Sequence, residues 1–280
     1  MKLGTILVHL DYSAHCAVRV GVAATLARQH GSHLIGLVPT GLYDGVIPAK
    51  AIAGKDTDFI AASADFLRVR AEGIAHAFRK LIEGSPSISS EVRLVDRPSV
   101  DAVALHGRGS DLIVVGQSQP GDTDTTTARD LPEQVVLHAG RPVLVLPRVK
   151  CARAFGRNVL VAWDGTREAA IALRDAWPLL SKSTRVVLVS LHTNAARGDD
   201  SDLQIPQILA WLRRHGIEAS AVAHVATDGF ADALLSRAAQ EEAGLVVMGG
   251  YGHTRVREWV LGGVTRGVLE RMDVPILMAH

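Results

Sequence analysis

The chain has 280 residues, 30 Lys and Arg against 29 Asp and Glu, 48% apolar residues and 21% charged ones. That is the balance of a folded globular protein, and it excludes a disordered chain. A formal net charge of +1, with 15 basic and 15 acidic residues in 1–148 and 15 and 14 in 149–280, offers no field to gather nucleic acid or an anionic membrane.

Short Val/Ile/Leu runs open the chain at 5–10, 33–38, 91–95, 111–115 and 142–146. Each is apolar at nearly every position, the pattern of strands buried on both faces of a parallel sheet. Between them, 14–29, 57–82 and 100–107 carry apolar residues three and four apart and read as helices. Strand and helix alternate, which defines an open α/β sheet. The same order then recurs. Strand patterns fall at 158–162, 185–191, 220–225, 244–248 and 275–278, and helical ones at 168–180, 203–214, 231–242 and 264–272.

The recurrence is an internal repeat. DLIVVGQ at 111–117 faces GLVVMGG at 244–250, and RPVLVL at 141–146 faces VPILMA at 274–279, both at an offset of 133. The starts also pair, TILVHLDYSA at 5–14 with NVLVAWDGTR at 158–167, which sets Asp11 against Asp164. Two homologous domains are expected, 1–148 and 149–280. Each is expected to hold an open, mostly parallel five-stranded sheet with helices on both faces, the two related by a pseudo-two-fold axis.

Two cysteines, Cys16 and Cys151, and no Cys/His grouping at zinc spacing argue against a disulfide framework or structural zinc and fit a reducing, cytoplasmic setting. Cys16 reads as a small buried apolar residue. No run of 18 apolar residues is present to span a membrane. The apolar stretch after Lys2 has the outline of a leader, but Asp11 and His15 interrupt it and a strand is the better reading.

In open α/β sheets ligands sit at the carboxyl ends of the strands. After the fourth strand of the second half comes GGYGHTRVREWVLGGVTRG, with glycines at 249, 250, 252, 262 and 263, the last two opening a helix. Glycine lets backbone approach a ligand closely. A helix start offers unpaired N–H groups and a positive dipole end to an anion. Arg255 and Arg257 add charge, and His253 lies in the same loop. The segment 249–265 is therefore a candidate anion cradle, or else a connection whose glycines serve packing alone. Neither GxxxxGK[ST] nor GxGxxG occurs.

On these residues the chain resembles a tandem universal stress protein. The family's nucleotide motif is Gly, two residues, Gly, nine residues, Gly, then Ser or Thr, and Gly249, Gly252 and Gly262 match at that spacing. AWDGTREA at 162–169 is similar to the family's first strand and turn. The resemblance implies a Rossmann-like fold that binds ATP, with or without Mg2+. Asp164 and Leu191 would lie at adenine, and Gly249, Gly252, Gly262, Gly263, Val264 and Thr265 at the phosphates. The Ser/Thr position is here Gly263, which loses a hydroxyl donor that Thr265, two residues on, is placed to replace. In the first half, 116–132 keeps the length of the loop but not its glycines. Gln119 and Arg129 stand at two glycine positions, and Asp122, Asp124 and Asp130 would repel phosphate. Asp11 and Leu37 remain as an adenine-like end without a cradle.

The implied role is a cytoplasmic stress-response sensor or regulator that binds an adenine nucleotide in its second half. The alternatives are a slow ATP hydrolase or adenylyl-transfer enzyme, and a nucleotide-free interaction module. No catalytic or metal-binding group is assigned. The final strands, 142–146 and 275–278, are apolar edges expected to pair within the chain, and a homodimer is a further expectation. All four tryptophans, Trp163, Trp177, Trp211 and Trp259, lie in the second half, and Trp163 abuts Asp164. The long connection 41–58 reads as a lid over the crevice, and the Thr tract 123–127 as a polar loop.

Overall fold

The computed structural model describes residues 2–42, 44, 57–84, 87–118, 130–149, 153–192, 200–226, 229–252 and 263–280. Gly262, His253, Arg255, Arg257, Trp259 and Cys151 lie outside the described residues, as do most of the connection 41–58 and the Thr tract 123–127. The chain divides into two compact units, Lys2–Arg141 and Pro142–His280.

The first unit contains β1 (Thr5–His9), α1 (Cys16–His30), β2 (His33–Pro39), α2 (Thr57–Glu83), β3 (Ser90–Val95), α3 (Ser99–Gly107), β4 (Leu112–Gly116) and α4 (Leu131–Ala139). Its strands run in the order β3-β2-β1-β4 and every pairing is parallel. The continuous apolar runs have the predicted cause. Ile6, Leu7, Val8, Ile113, Val114 and Val115 are all fully buried, because helices cover both faces of the central strands. The end strand β3 is largely exposed or half-buried, and its sequence is correspondingly more polar.

The second unit begins with β5 (Val143–Leu146) and β6 (Asn158–Ala162). There follow α5 (Arg167–Asp175), α6 (Trp177–Leu180), β7 (Arg185–His192), α7 (Asp200–Arg214), β8 (Ala219–Val225), α8 (Phe230–Gln240), β9 (Leu245–Gly249), α9 (Gly263–Arg271) and β10 (Ile276–Ala279). Its strand order is β5-β10-β9-β6-β7-β8. All pairings are parallel except β10 with β5, which is antiparallel and sets Ile276 against Val145, Leu277 against Leu144 and Met278 against Val143.

That pairing corrects the expectation of two separate five-stranded sheets: the strands fall four and six. By sequence β5 ends the first repeat, yet it is buried along its whole length against β10. VLVL and ILMA are short and wholly apolar, so an unpaired edge on either would be exposed hydrophobic backbone, and they pair with one another. The expected pairing of the two final strands within one chain is thus present. The repeat divides at 148/149, whereas packing divides at Arg141/Pro142. The single helix predicted over 168–180 is two helices, α5 and α6. Pro178 has no N–H for the ladder, so the chain re-forms a short turn after Ala176. No helix among the described residues is long and apolar enough to cross a membrane.

Candidate functional site

The chain runs β6, β7, β8 in one direction across the sheet and then returns to place β9 on the other side of β6. The carboxyl ends of β6 and β9 are therefore a topological switch point, the usual site of a ligand crevice in such sheets. The candidate residues after β6 and β9 meet there.

At the end of β6, the Trp163 amide donates to the Val189 carbonyl at 2.9 Å and carries the pairing one residue beyond the strand. The Trp163 indole is buried, and its Nε1 has no partner among the described residues. Asp164 follows and stays exposed. One of its oxygens, Oδ1, accepts the Thr166 amide at 3.0 Å and the Thr166 hydroxyl at 2.6 Å. The intervening Gly165 has φ +75°, in the left-handed region that glycine enters without strain. Thr166 then caps α5, its Oγ1 accepting from the Ala169 amide at 3.2 Å. Asp164 is thus a turn former through one oxygen, and its side chain stays exposed at the carboxyl end of β6.

At the end of β9, a Cβ on Gly249 would fall 2.7 Å from the Ala169 amide nitrogen and 2.8 Å from the Glu168 carbonyl carbon. Backbone meets backbone here, so only glycine fits. The Gly250 amide donates to the Ala279 carbonyl at 2.9 Å, and Tyr251 turns the chain at φ +57°. Gly252 then comes back over the first turn of α5, where a Cβ would lie 3.3 Å from Glu168 Oε2 and 3.5 Å from Thr166 Oγ1. Gly263 starts α9, with Val264 38% exposed and Thr265 buried. The Thr265 hydroxyl accepts from the Tyr251 amide at 3.4 Å, which ties the start of α9 to the loop.

The structure therefore brings Asp164, Gly249 and Gly252 together around the first turn of α5, and links Thr265 to them through Tyr251. Ala162 pairs with Val189 as the last partners of β6 and β7, and Leu191 lies two residues further along β7, at its carboxyl end. In the first unit Leu10 donates to Leu37 as Trp163 does to Val189, so the counterpart of Leu191 is Pro39, not Leu37.

Glu168 is a site residue that sequence reasoning missed. Its carboxyl lies beside Gly252 and within 3.2 Å of Arg167 Nε. Burial pushes it up, but its own backbone amide, the Arg167 guanidinium and the nearby His280 outweigh this and hold it below the usual carboxylate range. His280 Nδ1 is also 3.0 Å from the Gly250 carbonyl. The available signal was an acidic residue in the first turn after a Thr cap. Among the described residues no group of three His, Cys, Asp or Glu is placed to hold a metal ion.

The first unit repeats the hydrogen bonds of this turn, with Tyr12 in place of the left-handed Gly165, but not its surroundings. Asp11 Oδ1 accepts the Ser13 amide at 3.0 Å and the Ser13 hydroxyl at 2.6 Å. Its other oxygen lies 2.8 Å from Arg19 Nη2 and 3.8 Å from His9 Nδ1. Burial would raise the Asp11 carboxyl, but Arg19 above all, then His9 and the Ser13 hydroxyl, hold it well below the carboxylate range. His9 is fully buried, and mainly for that reason its pKa is lowered to about 4, Asp11 opposing the shift and Arg19 adding to it. Burial also pushes the Cys16 thiol up.

Residues 156–280 match the universal stress protein family. The chain is similar in fold to a universal stress protein from Archaeoglobus fulgidus DSM 4304 at 18% identity and TM-score 0.74, over 98% of this chain and 95% of that one. It is also similar to a protein of unknown function from Pseudomonas aeruginosa PAO1, at 16% identity and TM-score 0.56, over 99% and 92% of the two chains. No match was found among curated proteins.

Proposed function

We propose that this chain is a tandem, two-domain universal stress protein, on the family match of residues 156–280 and the fold shared over the whole chain, and that its second unit binds an adenine nucleotide at the β6/β9 switch point. On this reading the protein is a cytoplasmic stress-response sensor or regulator. The observation that carries the reading is the glycine path. Gly249 has no room for a side chain, and Gly252 follows it back over the capped start of α5. The motif spacing sends the same loop on to the start of α9. Such a path presents backbone N–H groups to an anion with no intervening side chain.

ATP fits the donor set in the following way. Asp164 and the backbone near Leu191 would hold the nucleoside end. Gly249, Gly252, Gly262, Gly263, Val264 and Thr265 would hold the phosphates. The ionised Glu168 beside Gly252 opposes a bare phosphate chain, which favours ATP taken with Mg2+. Bound nucleotide would supply the signal.

Isothermal titration of the full chain with ATP, with and without Mg2+, tests the reading. One nucleotide per chain is expected, binding more tightly with Mg2+. A Gly252→Val/Gly262→Asp variant should lose binding while its circular dichroism stays that of the parent. Trp163, next to Asp164, should report occupancy through fluorescence. Retained binding in the double variant would remove the site assignment, and no heat at millimolar ATP would remove the nucleotide reading.

A further inference from the structure

In the first unit the ends of β1 and β4 adjoin as those of β6 and β9 do in the second. Asp11 follows β1 and Gly116 ends β4, so the pair holds the topological place of Asp164 and Gly249. Between them lies a side chain that the second unit lacks. Arg19, in the first turn of α1, is 2% exposed. Its Nε donates to the His9 carbonyl at 2.8 Å, its Nη2 forms an ion pair with Asp11 Oδ2 at 2.8 Å, and a Cβ added to Gly116 would collide with its Nη1. Eight residues after Asp164, where Arg19 stands after Asp11, the second unit has the buried Ala172. There the first turn of α5 rests directly on Gly249.

The consequence falls on the carboxylate. Asp11 has one oxygen held by Ser13 and the other by Arg19. Asp164 has one oxygen held by Thr166, and its side chain is exposed. A guanidinium is always charged and presents fixed donors along its edges, so it meets a carboxylate as the hydroxyls of a ligand would. The ion pair also cancels the charge that would draw such a ligand in.

We propose that Arg19 is a built-in occupant of the first unit's ligand carboxylate and confines nucleotide binding to the second unit. The proposal rests on the nucleotide reading of that second unit. It also separates two causes that the sequence merges. The missing glycines of 116–132 disable a phosphate end, whereas Arg19 disables the nucleoside end. A nucleoside without phosphates therefore isolates the effect of Arg19.

The test counts adenosine sites on the full-length chain by calorimetric titration in the wild type, in Arg19→Met and in Arg19→Met/Asp11→Asn. Methionine keeps the apolar stem and removes the charge. Arg19→Met should bind one adenosine more than the wild type, and the double variant should return to the wild-type number. An unchanged number in Arg19→Met, with the first unit folded by amide exchange, overturns the proposal. So does a wild-type chain that already binds adenosine in the first unit. Where Arg19→Met unfolds that unit, Arg19→Lys decides. A single ammonium cannot hold the His9 carbonyl and Asp11 together, so a weaker extra site is expected and its absence overturns the proposal. A wild type that binds no adenosine counts against the nucleotide reading of the second unit, while the gain or its absence in the Arg19 variants still decides the role of Arg19.

Discussion

The two units place an aspartate in the same turn and then use it differently. Asp11 and Asp164 each accept one amide and one hydroxyl from the residue two positions on, with matching distances of 3.0 and 2.6 Å. In the first unit His9 and Arg19 then close over the carboxylate. In the second, Ala162 and Ala172 stand at those positions and leave it at the surface. Two larger polar residues thus close over a carboxylate whose counterpart, with alanines at those positions, is exposed. One unit commits its carboxylate to an internal ion pair, and the other leaves its carboxylate exposed.

The sharpest way to break this contrast is to make one substitution in both places. Asp11→Ala strands the Arg19 guanidinium, 2% exposed, without its ion partner. Removing one member of a buried pair costs about 3–5 kcal/mol. Asp164→Ala removes an exposed turn carboxylate and should cost about 1 kcal/mol or less. All four tryptophans lie in the second half, so urea unfolding followed by fluorescence reports that unit, while far-ultraviolet circular dichroism reports both. Asp11→Ala should move the dichroism transition and leave the fluorescence transition in place. Equal costs at the two aspartates would show that the units are not electrostatically distinct.

His9 provides the next test, through pH. Its folded pKa is lowered from 6.5 to about 4 by burial, so the native state keeps it neutral where the unfolded chain protonates it. The unfolded state then binds more protons. The stability that His9 contributes is fully present above about pH 6.5 and is lost as pH falls towards 4. The shift corresponds to a loss of about 3 kcal/mol over that window. Asp11 stays ionised throughout it, since its own pKa lies well below. A His9→Ala variant, carrying the residue found at the matching position of the second half, should show a much flatter pH dependence in first-unit stability. A slope unchanged by the substitution would assign the acid sensitivity elsewhere.

The glycines at the crevice separate packing from binding. Gly249→Ala sets a methyl against the α5 backbone at 2.7 Å. Overpacking of this kind costs about 1–3 kcal/mol, and backbone cannot turn aside as a side chain can. Gly252→Ala meets the end of the Glu168 side chain at 3.3 Å, which can move. It should change stability by about 0.5 kcal/mol or less and lower nucleotide affinity several-fold. Denaturation midpoints and nucleotide titrations of the two variants check this division. A Gly252→Ala chain as unstable as Gly249→Ala would mean that Gly252 serves packing.

Much of the fold was readable from the sequence, because parallel strands covered on both faces must be apolar at nearly every position, as LIVVG and LVVMG are. The glycine spacing was readable too, since no other residue fits at Gly249. What escaped depends on contacts distant in sequence. The apolar pattern of β5 predicts its pairing with β10, but not that this pairing places it in the second unit rather than with its own repeat. Arg19 has the spacing of an ordinary helix arginine. Its burial is decided by Asp11 eight residues before it and by Gly116 far beyond it. Glu168 looks like a routine first-turn acid until Gly252 returns to meet it.

The smallest expected difference lies in the turns themselves. Thr166 does two things: its hydroxyl donates to Asp164 and accepts from the Ala169 amide, which caps α5. Ser13 donates to Asp11 in the same way, but α1 begins later, after His15, and no side chain caps it. The cap is thus an addition of the second unit alone. It fixes the first turn of α5, and that turn is the floor on which Gly249 and Gly252 lie. Thr166→Ala should cost about 1 kcal/mol, the usual worth of a Thr cap, and also loosen the crevice enough to weaken nucleotide binding. Ser13→Ala should cost about half as much and leave binding unchanged. Hydrogen exchange at the Ala169 and Ala170 amides follows the cap directly. Faster exchange there in Thr166→Ala, together with a lower affinity, would tie the helix start to the ligand site. Faster exchange with affinity intact would make the cap a matter of folding alone.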